Sequence, residues 1–472
     1  MSGLKVTRLT GEETVLEERA VEEFKSRLRG KLLCPGDDGY DEARKIWNAM
    51  IDRRPSLIVR CAGTADVIAS VNFARENSIL TAVRGGGHNV SGNAICDGGL
   101  VIDLSGMKSV RVDPQTFTAR VEPGVRLGEL DHEAQTFGLV VPAGIVTDTG
   151  VAGLTLGGGL GWLHRAWGLT IDNLISADIV TASGKLLKAS KEENDDLFWA
   201  IRGGGGNFGV VTSFEFRCRQ FGPTALAGIV MHPIDRAREL LAFYREFTAS
   251  APDEVTAFAL VRIAPPAPFV PKEFHGTPIA AMIACYAGPP DEGTEVLRPI
   301  KEWGEPIADV LIPKPFVVHQ AMFDAGQPPG GYYYWKSHYF NELSDEALDT
   351  IVKRGAAITS PMSILATVHL GGAVSRVGEN STAYPNRQAP YVMNVNGSWA
   401  DPSTTETNIA WVRGTWDALA PYATGARFAN FEAEDQAMAI YGEEKYKRLV
   451  EIKNKYDPQN LFRLNQNIKP TV

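Results

Sequence analysis

The sequence predicts an α+β protein with two differently built parts. Up to about residue 220, short strands and helices alternate around glycine-rich loops, and 24 of the 47 glycines lie between residues 81 and 215. After residue 220 glycine becomes sparse, and longer strands alternate with helices and proline-rich loops. That second pattern is typical of an antiparallel sheet covered by helices. We therefore expect domains over residues 1–220 and 221–425, followed by a C-terminal segment over 426–472.

The first part begins with a charged, amphipathic pattern over residues 1–30, which predicts a helix and the segment that leads into it. Apolar residues at Leu57–Val59 and Leu80–Val83 predict two strands of a β-α-β unit. Thr64 is the expected cap of the helix between them, with Asp66 in its first turn. Further strands are predicted at Leu100–Leu104, Ser109–Val112, Thr118–Val121, Ala177–Thr181 and Val210–Phe216, and a further helix at Asp195–Ile201.

The second part shows longer runs of apolar and β-branched residues. Its predicted strands are Ala225–Met231, Val255–Ile263, Pro278–Tyr286, Tyr332–Phe340, Ile364–Leu370 and Tyr391–Val395. Its predicted helices are Asp235–Thr248, Asp345–Gly355 and Thr405–Ala418. The last 45 residues indicate one more helix and a docked tail.

Composition excludes several classes of partner. The chain carries 47 Lys and Arg against 56 Asp and Glu, a net charge of −9, which argues against binding nucleic acid through phosphates. No apolar run approaches the roughly 20 residues of a membrane span, and the first residues show no secretion signal, so we expect a cytoplasmic protein without a membrane partner. Five cysteines lack any Cys-x-x-Cys pair, and eight histidines lack metal-binding spacing, so no metal is expected.

Three glycine loops stand out: residues 84–92, 157–161 and 203–209. Gly204–Gly209 fits G-x-G-x-x-G, but it follows a predicted helix and precedes a strand, which is the reverse of the Rossmann order. The sequence contains neither a P-loop nor a G-x-S-x-G motif. Such loops either form tight turns or bring backbone N–H groups close to an extended anion. Three of them within 125 residues favour the second reading.

The segment Arg84-Gly85-Gly86-Gly87-His88-Asn89-Val90-Ser91-Gly92 resembles the R-[SG]-G-G-H-x-x-x-G signature of FAD-linked oxidases of the vanillyl-alcohol oxidase (PCMH-type) superfamily. The berberine-bridge-enzyme-like subgroup, which includes 6-hydroxynicotine oxidase and carbohydrate oxidases, is the best match. Further similarities lie at residues 142–144, 150–161, 168–173, 202–211 and 456–468. The resemblance implies a two-part PCMH-type FAD-binding domain (1–220), a substrate domain (221–425) and a C-terminal segment that returns to the FAD domain.

The same resemblance implies that His88 is bonded covalently to FAD through an imidazole nitrogen. Members with a second link carry a Cys in the segment that here is Ile145–Asp148, most closely at Val146. Its absence implies a single link and a compact substrate. The implied FAD contacts are Arg84, Gly85, Gly86, Gly87, His88, Gly92, Gly150, Val151, Gly153, Gly157, Gly158, Gly161, Gly205, Gly209, Val211, Asn465 and Asn467.

The implied activity is that of an oxidase: hydride passes from a small, ring-bearing alcohol, amine or phenol to flavin N5, and dioxygen reoxidises the flavin to give hydrogen peroxide. A flavin dehydrogenase with another acceptor, a sugar or oligosaccharide oxidase, and a tailoring oxidase of secondary metabolism stay open. The proton needs a base. We expect His369 first, because it ends a strand that should point at the flavin, then Tyr334 and Lys336, and Tyr441 as a further candidate. The oligomeric state stays open.

Overall fold

Short strands and helices build the first part of the computed structural model, which describes residues 3–472. The strands are β1 (Leu4–Thr7), β2 (Glu13–Leu16), β3 (Lys31–Leu33), β4 (Leu57–Arg60), β5 (Thr81–Arg84), β6 (Leu100–Asp103), β7 (Val110–Asp113), β8 (Thr118–Val121), β9 (Leu139–Val140), β10 (Leu174–Val180), β11 (Leu186–Ser190), β12 (Val210–Arg217) and β13 (Arg219–Gln220). The helices are α1 (Glu18–Ser26), α2 (Tyr40–Ala43), α3 (Thr64–Glu76), α4 (Leu127–Gln135), α5 (Val151–Leu156), α6 (His164–Trp167) and α7 (Asp195–Ile201).

Longer elements follow. The strands are β14 (Thr224–Pro233), β15 (Val255–Ile263), β16 (Pro278–Tyr286), β17 (Ala308–Asp309), β18 (Ile312–Pro315), β19 (Tyr332–Phe340), β20 (Ile364–His369) and β21 (Tyr391–Trp399). The helices are α8 (Ala237–Ser250), α9 (Pro290–Glu302), α10 (Phe316–Gln320), α11 (Asp345–Ala356), α12 (Ala373–Arg376), α13 (Thr405–Leu419) and α14 (Ala437–Tyr456).

A four-stranded sheet of order β3-β4-β6-β5 contains the predicted β-α-β unit, with β4 and β5 both parallel to the central β6. The predicted Thr64 cap is wrong: Gly63 precedes the helix and no side chain caps it. The Asp66 carboxylate instead accepts from the backbone N–H groups of Ala62, Arg29 and Gly30, which ties α3 to the preceding chain.

The N-terminal region contains the predicted helix, but the segment that leads into it forms a hairpin that was not predicted. Among residues 3–30, β1 and β2 form an antiparallel hairpin and only Glu18–Ser26 is helical. The physical reason is that pairing the two strands buries Val6 and Leu16 in the same apolar cluster as Phe24 of the helix. Residues 1–2 of the predicted helix lie outside the described chain.

A five-stranded antiparallel sheet has the order β11-β10-β12-β8-β7. Phe214 and Phe216 of β12 point to the same side, where their rings stack 5.7 Å apart in a buried cluster with α7. The loop that follows β5 of the four-stranded sheet meets the loop that ends at Gly150, just before α5.

The third sheet is antiparallel throughout and has the order β17-β14-β16-β15-β20-β21-β19, with β18 also paired to β14. On one face, α8, α9, α11 and α13 bury residues such as Leu240, Leu297 and Val412. The other face, which includes Phe258, packs against Trp162 of the first part. The predicted α+β class and the helix-covered antiparallel sheet are confirmed; helix α9 was not predicted.

The C-terminal segment packs against the first part of the chain. Helix α14 is interrupted at Gly442, whose φ is 69°. The ammonium of Lys453, fully buried, donates to the Asp457 carboxylate at 2.6 Å and to the backbone carbonyl of Asn207 at 2.7 Å. Leu461 then joins the core of the four-stranded sheet. The domain boundaries themselves stay predictions. Across residues 3–472, no helix combines the length and apolar character needed to cross a membrane.

Candidate active site

A deep cavity lies between the glycine loops and the uncovered face of the eight-stranded sheet. Its empty volume is about 2080 Å³ including its open mouth. One wall consists largely of backbone from the three glycine loops and the C-terminal tail, and we call it the backbone wall. The opposite wall consists of side chains from β15, β19, β20, β21 and nearby loops, and we call it the side-chain wall.

His88 lies at the junction of the two walls. Its ring stacks on Trp47 with centroids 3.9 Å apart, and Trp47 stacks in turn on Tyr333 of β19 at 3.5 Å. The backbone N–H of Trp47 donates to the Gly87 carbonyl at 3.1 Å, which fixes the loop around His88. The His88 Nε2 atom is buried and has no hydrogen-bond partner in the protein. Burial and, secondarily, the charge of Arg126 lower the pKa of His88 to about 3, so the imidazole is neutral at physiological pH.

The loop around Gly86 and the loop that ends at Gly150, just before α5, touch backbone to backbone. A Cβ at Gly150 would lie 2.5 Å from the Gly86 nitrogen, and a Cβ at Gly86 would lie 2.5 Å from the Gly150 Cα. Glycine is therefore required at both positions, since any side chain would push the two loops apart. This contact brings the N-terminal end of α5 beside His88 in the cavity wall.

The third glycine loop is held by the C-terminal tail. The Asn207 side chain donates to the Gln466 carbonyl at 3.0 Å and accepts from the Ile468 N–H at 3.0 Å. The Gly205 N–H donates to the Leu156 carbonyl at 2.9 Å, so this loop also touches the second one. Tyr441 of α14 lines the cavity beside Gly205, and its hydroxyl is buried without a partner.

The backbone wall fits an FAD molecule. It presents close-packed glycine backbone, which suits a pyrophosphate, and buried side-chain atoms whose hydrogen-bonding capacity the protein leaves unused. Those atoms are His88 Nε2, Asn430 Oδ1, Tyr441 Oη and Asn465 Oδ1. FAD is rich in donors and acceptors along its whole length, so both features match it.

Eleven of the residues expected to contact FAD line this cavity: Gly85, Gly86, Gly87, His88, Gly150, Gly153, Gly157, Gly205, Gly209, Val211 and Asn465. The structure does not bring the remaining six to the cavity wall: Arg84, Gly92, Val151, Gly158, Gly161 and Asn467. Arg84, for example, donates to the Ala43 carbonyl at 2.5 Å, behind the loop that it was expected to serve. These six shape or support the loops.

His369 does not face the cavity, contrary to the expectation that it points at the flavin. On β20 the cavity is lined by Ile364, Ala366 and Val368, so His369 belongs to the other face. Its Nδ1 accepts a hydrogen bond from Arg165 at 3.0 Å. Burial, together with the nearby Arg165, lowers the pKa of His369 to about 3, which makes it a weak base as well as a distant one.

Tyr334 and Lys336 also face away from the cavity, toward α13. Tyr334 Oη donates to Glu434, and Lys336 Nζ lies 3.1 Å from the same carboxylate and over the ring of Trp416. Burial opposes the effect, but the hydrogen bonds from Tyr334 and Lys336 lower the pKa of Glu434 to about 2. Of the four expected bases only Tyr441 lines the cavity, and it lies on the backbone wall, where burial raises its pKa.

The site residues predicted for the second part of the chain did not include those that form the side-chain wall, although the aromatic run that contains Trp335 is present in the sequence. The wall residues are Phe258, Phe323, Gln327, Trp335, Asn394, Asn396 and Phe431, together with the three aliphatic residues of β20. The signal that could have found them is the two-residue alternation of strands: Trp335 alternates with Tyr334 and Lys336, and Asn394 alternates with Val395. Alternation identifies the two faces but not which of them meets the cavity.

The electrostatic character of the cavity is unusual. Among its lining residues within 3–472 there is no Asp, Glu, Lys or Arg, and the titratable side chains are His88 and Tyr441. The same part of the chain contains no group of three His, Cys, Asp or Glu placed to hold a metal ion. The titratable side chains of this lining are therefore neutral at physiological pH.

Comparison with known proteins agrees with this geometry. A family model described as FAD binding domain matches residues 55–190, and one described as Berberine and berberine like matches residues 427–469. The chain is 30% identical over 461 residues to (R)-6-hydroxynicotine oxidase of Paenarthrobacter nicotinovorans, covering 94% of this chain and 97% of that relative.

Two solved structures extend the comparison to the fold. The crystal structure of 6-hydroxy-D-nicotine oxidase from Arthrobacter nicotinovorans matches with a TM-score of 0.84 at 28% identity, covering 94% of this chain and 98% of the other. A chitooligosaccharide oxidase matches with a TM-score of 0.82 at 25% identity, covering 96% and 100%. The chain therefore belongs to the berberine-bridge-enzyme-like family of FAD-dependent oxidoreductases, as the segment around His88 predicted.

Proposed function

We propose that this chain is an oxidase whose FAD is attached by one covalent bond to His88. The observation that carries this proposal is the environment of His88: a neutral imidazole, stacked on Trp47, with a buried and unpartnered Nε2 in the cavity wall. Attack on the 8α-methyl group of the flavin needs a neutral imidazole nitrogen. No cysteine lines the cavity among residues 3–472, and Val146 stands where doubly linked relatives carry one, so a single link is expected.

When bound, FAD supplies the hydride acceptor and, once reduced, the electrons for dioxygen. The protein's own contribution is positional. The glycine backbone would hold the pyrophosphate, His88 would hold the flavin, and the side-chain wall would hold the substrate. The apolar residues of β20 keep water away from that face.

The substrate is a small, ring-bearing molecule. Phe258, Phe323, Trp335 and Phe431 lie on the cavity wall and offer aromatic surfaces for a ring. Alcohols, amines and phenols all fit this description. A relative is named chitooligosaccharide oxidase, so sugar oxidation is the alternative activity. The aromatic and aliphatic lining supports a ring compound over an oligosaccharide, whose many hydroxyl groups need more polar partners than this wall offers.

The experiment that tests the proposal is His88→Ala, with His132→Ala as the matched control because His132 is exposed and far from the cavity lining. The wild-type and control proteins are expected to keep their yellow colour in the pellet after acid precipitation, whereas His88→Ala releases it into the supernatant. Retention of flavin by His88→Ala would contradict the covalent link.

Peroxide formation tests the oxidase activity separately. The flavin is first bleached anaerobically with a panel of alcohols, amines, phenols and sugars, and air is then admitted. An oxidase recovers its colour within seconds and releases peroxide. Recovery only with a dye would identify a dehydrogenase instead. Bleaching by sugars alone would favour the alternative activity.

A further inference from the structure

The side-chain wall combines three features that together restrict the charge of the substrate. It contains no charged or titratable residue among those described; it carries several buried polar atoms without partners; and its remaining surface is aromatic or aliphatic. The unpartnered atoms are the amide oxygens of Gln327 and Asn394 and the indole Nε1 of Trp335. Two of them are acceptors and one is a donor.

Two of these atoms belong to paired strands of the sheet, whereas Gln327 lies in the loop before β19. Trp335 and Asn396 are direct partners in the pairing of β19 with β21, and Asn394 lies two residues farther along the same face. Asn396 is engaged, since its Oδ1 accepts from Ser398 Oγ at 2.5 Å. Asn394 is only 7% exposed, yet its Oδ1 has no partner. A buried amide oxygen without a partner is costly, and a ligand that donates to it recovers that cost.

We propose that the substrate is an uncharged ring compound bearing a hydroxyl or amide-like group, recognised by Asn394, Gln327 and Trp335. A carboxylate or an ammonium group placed against this wall would lose its hydration and meet no opposite charge. A neutral group that both donates and accepts meets partners of both kinds. This inference rests on the proposed function, because it assumes that the substrate occupies the side of the cavity facing the flavin.

The test uses the flavin-loaded protein and three ligands of nearly equal shape: benzamide, benzoate and benzamidine, which are neutral, negative and positive at pH 7. Their binding is followed by calorimetry and by the change in flavin absorbance, without turnover. Benzamide is expected to bind about tenfold or more tightly than either charged ligand. Equal or tighter binding of benzoate or benzamidine, or no binding of benzamide up to its solubility, would overturn the proposal.

Two variants and a control sharpen the test. Asn394→Leu is expected to weaken benzamide binding by about tenfold, and Asn394→Asp is expected to reverse the order so that benzamidine binds best. Thr367→Val changes a buried polar residue on the opposite face of the sheet and should leave all three affinities unchanged. Unchanged benzamide binding in Asn394→Leu would overturn the proposal.

Failure of this inference is distinguishable from failure of the proposed function. If charged ligands bind while the flavin stays attached to His88 and is reoxidised by air, the proposed function holds and the inferred substrate class is wrong. If benzamide is selected but the flavin is released by acid, the substrate class holds and the covalent link is wrong.

Discussion

The two walls of the cavity are built on different physical principles. The backbone wall requires residues without a side chain, because a Cβ at Gly86 or at Gly150 would clash with the facing backbone. The side-chain wall is formed by side chains such as those of Trp335 and Asn394. These side chains take no part in the backbone hydrogen bonds that hold the sheet together. The contact between Gly86 and Gly150 therefore tolerates no side chain, whereas residues of the side-chain wall can change without disturbing the backbone pairing of the sheet. The same fold can therefore keep one cofactor on the backbone wall while the side-chain wall changes to suit different substrates.

Substitution of Gly150 is expected to have the largest effect on this comparison. Gly150→Val would place a branched side chain against the Gly86 backbone, which cannot move without displacing the loop that carries His88. We expect loss of bound flavin, measured as the ratio of absorbance at 450 and 280 nm, and poor recovery of folded protein. Gly326→Val is the control, since a Cβ at Gly326 meets nothing within 4 Å. A normal flavin content in Gly150→Val would contradict the tight-contact account of the backbone wall.

The same difference explains how much could be predicted from the sequence. The role of the glycines clustered in three loops can be inferred from the local sequence, because the absence of a Cβ is a property of the residue itself. The importance of the loop at Arg84–Gly92 was predicted on that basis, whereas the role of His88 followed from the resemblance of that loop to a family signature. The six longer strands after residue 220 were also predicted, because their β-branched and aromatic runs are long.

The orientation of the side-chain wall was not accessible. Alternation in β19 separates Tyr334 and Lys336 from Trp335, and both sets look equally suited to a site. The deciding facts are tertiary: α13 covers one face, and the carboxylate of Glu434 binds the polar residues there. Similarly, His369 is drawn to Arg165, which lies 204 residues earlier in the chain. Tyr334, Lys336 and His369 were thus predicted as active-site residues, although their polar groups bind other residues of the folded protein.

A buried carboxylate next to the side-chain wall provides the next test. Glu432 is 1% exposed and accepts from the N–H and the Oγ of Ser337, which pairs with Asn394 in the sheet. Burial raises the pKa of Glu432 to about 7, although Ser337 and Arg427 act in the opposite direction. Between its ordinary pKa of 4.5 and about 7, the folded protein therefore holds a proton that the unfolded chain has released.

Stability is consequently expected to fall as the pH rises from 4.5 to 7, with a cost of up to about 3 kcal/mol above pH 7. Glu432→Gln imitates the protonated form, so it should raise the free energy of unfolding at pH 8 and leave it unchanged at pH 4.5. Urea unfolding at the two pH values measures this difference, with the exposed Glu443→Gln as control. Equal effects of Glu432→Gln at both pH values would show that folding does not raise the pKa of Glu432.

The smallest expected effects come from two neighbouring residues on opposite faces of β19. Tyr334 donates to Glu434 and accepts from Arg413 Nε at 3.0 Å on the face covered by α13. Tyr334→Phe removes both interactions, so we expect a loss of about 1 kcal/mol in the free energy of unfolding. The flavin spectrum and the rate of anaerobic bleaching should not change, because no atom of Tyr334 lines the cavity.

Trp335→Phe is the complementary change. It removes an indole N–H that has no partner within the protein, so the free energy of unfolding should change little, while the flavin difference spectrum with benzamide should weaken. Tyr334→Phe would then change the free energy of unfolding without changing the flavin signal, and Trp335→Phe would do the reverse. If Tyr334→Phe instead slowed flavin bleaching and Trp335→Phe did not, the face of β19 that carries Tyr334 would be the one that meets the substrate. The expectation based on alternation would then return, with Tyr334 and Lys336 as the residues that meet the substrate.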